Sequence, residues 1–183
     1  MSEITIRNKE LLDVLNGFSD EMLSKPSYNN EKYWTYAEKA DIDKGEYYCS
    51  RDYLEDCLSR GELVGPPDRY FAQPISKMVR EDPEMWGDFM QRVKYDFASE
   101  LGAHTSALLS YYPPKGYVGW HTNFDANAYQ ILFTVSKDGD GYFEYYYKKK
   151  DEIVKIHYKP VWQASHYYFG SGEETDLNSC HAA

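Results

Sequence analysis

The stretch Tyr112-Pro113-Pro114-Lys115-Gly116-Tyr117-Val118-Gly119-Trp120-His121-Thr122-Asn123-Phe124-Asp125 decides how the rest of the chain is read. Pro113-Pro114 and Gly116 mark a turn, Tyr117 and Val118 begin an extended run, and the run closes on a histidine followed by polar side chains. It reads as one wall of a small metal-binding β-barrel. Residues i and i+2 of a strand share a face roughly 6–7 Å apart. A histidine at a strand end, with an oxygen-bearing side chain two positions on, can therefore present both to one metal ion. His121 takes the first role. A histidine from a distant strand would complete a facial triad with open positions, an arrangement suited to non-haem Fe(II).

Working outward, residues after Thr105 fall into short β-branched and aromatic runs separated by turn punctuation. Strands are predicted at Ser106 to Tyr112, Tyr117 to His121, Tyr129 to Val135, Gly141 to Tyr147, Ile153 to Tyr158 and Trp162 to Phe169, a spacing typical of a sandwich or barrel. Gly139-Asp140-Gly141 and Lys148-Lys149-Lys150-Asp151-Glu152 read as hairpin turns. The texture before residue 104 is different. Leu11, Leu12, Val14, Leu15, Phe18, Met22 and Leu23 recur at helical spacing, with Pro26 closing the pattern. A short helix spans Asp52 to Leu58 and stops at Gly61. Another runs from Pro83 to Leu101, with Trp86, Phe89, Val93 and Phe97 on the face that meets a sheet. The organisation predicted is one compact α+β domain, with residues 1–103 as a helical support and 104–183 as the β-rich core.

Composition narrows the function. The 183 residues carry a formal net charge of −10, which repels phosphate backbones and makes non-specific binding to nucleic acid or anionic membranes an unfavourable main activity. No run approaches the roughly 18 apolar residues of a membrane span. Three cysteines without a Cys-x-x-Cys pair fit a reducing, cytoplasmic setting. Nineteen tyrosines suit half-wet sheets and protein contacts. Neither a nucleophile elbow nor a His-Glu-x-x-His occurs, which removes the common hydrolase readings.

The order of elements carries a resemblance. Tyr112-Pro113-Pro114, Gly119-Trp120-His121-Thr122-Asn123, Tyr129 to Thr134, Gly139 to Phe143, His166 to Gly170 and Cys180-His181-Ala182-Ala183 together resemble the Fe(II)/2-oxoglutarate-dependent dioxygenases. The likeness is greatest to an uncharacterised group found in tailed phages. It covers roughly the last 80 residues, and the N-terminal half adds no motif to it. The resemblance implies a double-stranded β-helix (jelly-roll, cupin-like) barrel. It also implies Fe(II) held by two histidines and usually one carboxylate, and oxidative decarboxylation of 2-oxoglutarate coupled to hydroxylation of a C–H bond. By position His121 is the first ligand, and Tyr112 matches a tyrosine that contacts 2-oxoglutarate. Trp120 and Tyr129 are expected at the pocket mouth.

Two departures accompany it. Asn123 stands where the family carries its carboxylate, so Asn123 and Asp125 are rival third ligands. The distal histidine is His181 or His166, and His181, followed by small residues after an aromatic strand end, fits the family order better. A basic residue that pairs with the 2-oxoglutarate carboxylate is expected one strand beyond the distal histidine. The sequence stops before it, so a longer product or a lost cosubstrate is implied, along with a strand edge open to another chain. Set against an enzyme is a non-catalytic barrel acting in virion structure or host-protein binding. A weaker third reading is a cupin-like metal sensor without turnover.

Overall fold

The computed structural model describes residues 2–25, 28–37, 41–63, 67–104, 106, 109–123, 128–169 and 180–183. Strand β1 (Ser2–Ile4) leads into helix α1 (Lys9–Ser24), whose first turn is capped by the Asn8 side chain accepting from the Leu11 amide at 3.2 Å. After β2 (Thr35–Tyr36) come the short α2 (Gly45–Tyr48) and α3 (Arg51–Arg60). Ser50 caps the start of α3, and Gly61, at φ 69°, ends it in the left-handed conformation a glycine adopts without strain. Next are β3 (Tyr70–Pro74), α4 (Ile75–Glu81) and α5 (Pro83–Met90). A π-helical turn (Gln91–Asp96) joins α5 to α6 (Phe97–Glu100). The strands β4 (Ser110–Tyr111), β5 (Tyr117–Val118), β6 (Ala128–Thr134), β7 (Tyr142–Tyr147), β8 (Glu152–His157), β9 (Gln163–Phe169) and β10 (His181–Ala182) complete the chain.

The fold class is α+β with antiparallel sheets, as the order of helical and alternating segments predicts. One sheet runs β1-β9-β6 and a second β10-β7-β8; in a third, β3 pairs with β2, β4 and β5. The second and third are joined through the backbone. Val118 and Ala183 exchange hydrogen bonds of 2.6 and 2.9 Å, and His121 and His181 exchange a pair at 3.0 Å. Lys148–Lys150 forms the tight turn between β7 and β8. No helix among the described residues is long and apolar enough to cross a membrane.

The region expected to be only a helical support also supplies strands. β1 pairs with β9, and β3 is the centre of the third sheet. β1 is three residues long and β2 two, too short to leave an alternating pattern, and the pairing of β3 comes from distant partners. The predicted helix Pro83 to Leu101 is interrupted by the π turn. Beyond that turn Phe97 meets both Phe18 of α1 (5.6 Å between ring centroids) and Phe133 of β6 (5.6 Å).

Two cores result. Tyr33, Ile75, Met78, Trp86 and Phe89 form one between the helices. Tyr48, Tyr53, Leu54, Cys57, Phe71, Trp120, Cys180 and Ala182 form the other, between α2–α3 and the face of the sheet that β10 occupies. Glu144 of β7 is only 2% exposed. One of its carboxylate oxygens lies 3.2 Å from Lys155 Nζ, and the other has no hydrogen-bond partner among the described residues.

Burial outweighs Lys155 and raises the Glu144 pKa above its ordinary 4.5. The folded protein therefore keeps a proton that the unfolded chain releases, and stability falls as pH rises from about 4.5 through the folded-state value. Glu144→Gln is expected to melt above wild type at pH 7. That advantage should vanish near pH 4, where both states of the wild-type side chain are protonated; scanning calorimetry across that range is the check.

Candidate metal centre

A backbone irregularity aims His121. Between Val118 and His121 there are three steps, whereas their partners Ala183 and His181 are two steps apart, so the Gly119-Trp120 segment carries one extra residue as a β-bulge. The amides freed by the bulge find other acceptors. Gly119 N–H donates to the Arg69 carbonyl at 2.8 Å and Trp120 N–H to the Tyr48 carbonyl at 3.2 Å. A Cβ at Gly119 would lie 3.1 Å from that Arg69 carbonyl oxygen and 3.2 Å from Tyr48 Cβ, so the close approach requires glycine.

Trp120 and Thr122 then face the core and fix the strand. The Trp120 indole N–H donates to the Ser50 carbonyl at 2.9 Å, and Thr122 Oγ1 donates to the Leu63 carbonyl at 2.6 Å. His121, between them, points to the other face. There it meets His181, with ring centroids 4.0 Å apart and planes inclined at 54°.

The tautomer of His121 follows from its contact. Nδ1 lies 2.9 Å from the Gly119 carbonyl, which can only accept, so Nδ1 carries the proton in the neutral ring and Nε2 keeps its lone pair. Burial lowers the His121 pKa below its ordinary 6.5, against the opposing pull of the Gly119 and His181 carbonyls. The ring is therefore neutral at pH 7. An imidazole oriented by a carbonyl on one nitrogen, with the other nitrogen a bare donor, is the usual condition of a metal-ligating histidine. His181 is buried beside it, and Phe143 of β7 lies 5.7 Å from the His181 ring. Phe143 in turn stacks at 5.8 Å and 14° on Tyr167 of β9, so an aromatic wall runs from the histidine pair to the first sheet.

The other expected residues divide. Asn123 is described, half-buried and two positions beyond His121; Asp125 lies outside the described residues. Among the described residues no set of three or more His, Cys, Asp or Glu side chains converges as a metal site, which leaves the choice between Asn123 and Asp125 where the sequence left it. His166 is exposed on β9, in register with Ser2 and Ile131, and is not brought to His121; His181 is.

Trp120, 3% exposed, is a core anchor rather than a pocket-mouth residue. Tyr129 is 87% exposed, with its ring 5.1 Å from that of Tyr168, and belongs to the outer face of β6. Tyr112 is half-buried, and burial pushes its phenol up to about 12. The cysteines pack in the second core, with Trp120 and Ala182. Burial pushes Cys49 up to about 12 and Cys180 up to about 11, so both remain thiols at neutral pH.

Sequence reasoning missed Phe143 and Tyr167 as neighbours of the site. Alternation along Tyr142 to Tyr147 puts Phe143 and Tyr145 on one face, but which face looks toward His121 depends on β10, whose two residues leave no pattern. Comparison of the chain with protein-family models, with curated proteins and with solved structures finds no match.

The bulge gives a contrast between two glycines. Gly119→Val should cost roughly 1–3 kcal/mol in urea denaturation, because the added atoms meet backbone. Gly17, inside α1 with nothing within 4 Å of its would-be Cβ, should instead gain about 0.5–1 kcal/mol as Gly17→Ala.

Proposed function

We propose that this chain is an Fe(II)/2-oxoglutarate-dependent dioxygenase built on a double-stranded β-helix, with His121 and His181 as its imidazole ligands. The observation that carries the proposal is the histidine pair itself. Two neutral-capable rings from sequence-distant strands sit 4.0 Å apart on one face, and the Nδ1 of His121 is engaged by a backbone carbonyl. Asn123 or Asp125 supplies the third protein ligand. An asparagine carbonyl would leave the site one negative charge short of the usual triad, and the carboxylate of Asp125 would restore it.

The strand order supports the barrel. β6 and β9 pair in one sheet while β7, β8 and β10 pair in another, so successive strands leave one sheet and return to it, as in a jelly roll. The Phe143–Tyr167 stack packs the two sheets against each other.

Held by His121 and His181, Fe(II) with 2-oxoglutarate would supply oxidative decarboxylation to succinate and carbon dioxide, coupled to hydroxylation of a substrate C–H bond. The chain's own part is to hold and shield. His121 and His181 present nitrogen lone pairs from a rigid cross-strand pair, and Phe143 covers one side of the His181 ring and excludes water there. Tyr112 keeps its phenolic proton at neutral pH and so remains a hydrogen-bond donor to an anionic cosubstrate.

Anaerobic titration of the purified chain with Fe(II), followed by 2-oxoglutarate, should give a visible charge-transfer band that needs both components. His121→Ala and His181→Ala should each lose Fe(II) affinity by more than the roughly 10–100-fold that outer-shell changes cost, with unchanged circular dichroism. Undiminished iron binding in both variants would overturn the ligand assignment. Iron binding without succinate formation once oxygen is admitted would favour the metal sensor without turnover, and absence of iron binding the non-catalytic module.

A further inference from the structure

An edge strand offers unpaired N–H and C=O groups to any extended chain, and short length or charged side chains are what normally deter such pairing. Among the described residues the first sheet ends on β1 and β6, and the second ends on β8. β1 is three residues long and carries Glu3, whose carboxylate lies 2.9 Å from Lys159 Nζ. β8 carries Glu152 and Lys155. In the third sheet β2, β4 and β5 have two residues each. β6 has neither protection. It is seven residues long, and from Ala128 to Val135 the sequence holds no charged residue, no proline and no glycine.

Exposed apolar side chains gather on the same strand. Tyr129 is 87% exposed, Ile131 55% and Val135 37%, and alternation puts all three on one face with Phe133. Phe97 of α6 covers Phe133 there, with 5.6 Å between ring centroids, while Tyr129 and Ile131 stand beyond that cover beside Tyr168 and His166 of β9. A second copy of the chain suits this edge on two counts. A net charge of −10 makes most approaches between copies repulsive, and a charge-free strand removes that opposition along the seam. The strand also matches itself. Antiparallel pairing about a two-fold axis at Ile131, the middle of Ala128–Thr134, engages all seven residues and sets Tyr129 opposite the partner's Phe133, an aromatic cross-strand pair of the kind that stabilises sheets. Such a contact uses the same edge in both copies, so it closes at two.

We propose that β6 is a homodimerisation edge, at which a second copy of this chain pairs antiparallel about Ile131 and joins the two β1-β9-β6 sheets into one. The inference stands apart from the metal centre. Tyr129 and Ile131 occupy the face opposite to the one on which Tyr167, in register with Gln130, meets Phe143.

Sedimentation equilibrium of the full chain over a concentration series should show a reversible monomer–dimer equilibrium. Ile131→Lys sets two like charges face to face on the axis and takes two apolar side chains out of the seam, so the dissociation constant should rise about 10-fold or more. Circular dichroism should not change, because the side chain is already exposed. Val161→Lys, similarly exposed but outside β6, should leave the dimer as it is. Ile131→Cys should cross-link the two copies at position 131 under mild oxidation, since opposed residues of an antiparallel pair lie about 4.5–5.5 Å apart at Cα, within disulfide range. A chain that stays monomeric to its solubility limit would overturn the proposal and leave the edge to an extended strand of another protein. A dimer that Ile131→Lys does not weaken would place the interface elsewhere and overturn it too. Weakening without the cross-link would overturn the register centred on Ile131.

Discussion

The mutual hydrogen bonds between the backbones of His121 and His181 are the constraint on which the rest of the molecule turns. They fasten β10 to the chain leaving β5, and through β10 they connect the sheet of β7 and β8 to the sheet centred on β3. They also fix the two side chains. Residues directly opposite one another in an antiparallel pair project from the same face, so once the two backbones bond, the imidazoles are neighbours. The bulge at Gly119-Trp120 decides which face that is. Without the extra residue, one-step slippage would turn the imidazole toward Cys180 and Ala182, where α3 packs.

The faces of this sheet differ in chemistry as well as in packing. Toward α2 and α3 lie thiols, aromatic rings and Glu144, in an environment that penalises charge and keeps Cys49 and Cys180 protonated. Toward β9 lie the two histidines, Phe143 and the ring of Tyr167. Soft thiolates would compete with imidazole for a transition metal, but Cys49, Cys57 and Cys180 are buried in the core on the side of α2 and α3. A carbonyl contact, by contrast, leaves His121 Nε2 available. The packing of the thiols on one side and the orientation of His121 on the other thus present imidazole nitrogen on the face toward β9.

Much of this was legible in the sequence wherever periodicity is long enough to be read. Helix α1 covers the predicted apolar stripe from Leu11 to Leu23 and ends before Pro26, and Asn8 supplies the cap. The strands from Ala128 to Phe169 were predicted to within a residue or two, because each is a run of β-branched and aromatic residues bounded by turn residues. His121 was legible from its place at the end of such a run, and His181 from the family order of elements. The illegible parts are those created by tertiary contact. Helix α4 begins directly from the end of β3, and the π turn precedes Phe97, whose ring meets those of Phe18 and Phe133 from distant elements. Trp120 and Tyr129 were misplaced for a related reason. Trp120 is next to His121 in sequence, but alternation sends it to the opposite face, and Tyr129 lies on the exposed face of β6.

The N-terminal half carries no motif of the resemblance, yet the segment that carries His121 depends on it. Four carbonyls from that half, those of Tyr48, Ser50, Leu63 and Arg69, accept hydrogen bonds from residues 119, 120 and 122. They come from different local structures: the end of α2, the cap of α3, the turn after α3 and the approach to β3. Backbone carbonyls are offered by any sequence, so a motif search along residues 1–103 finds nothing, while the geometry that orients His121 is set there. A ligand held to within tenths of an ångström needs neighbours that cannot shift, and two of those neighbours flank a helix cap whose position Ser50 fixes through the Tyr53 amide. The support for this site is therefore written in fold rather than in recognisable residues.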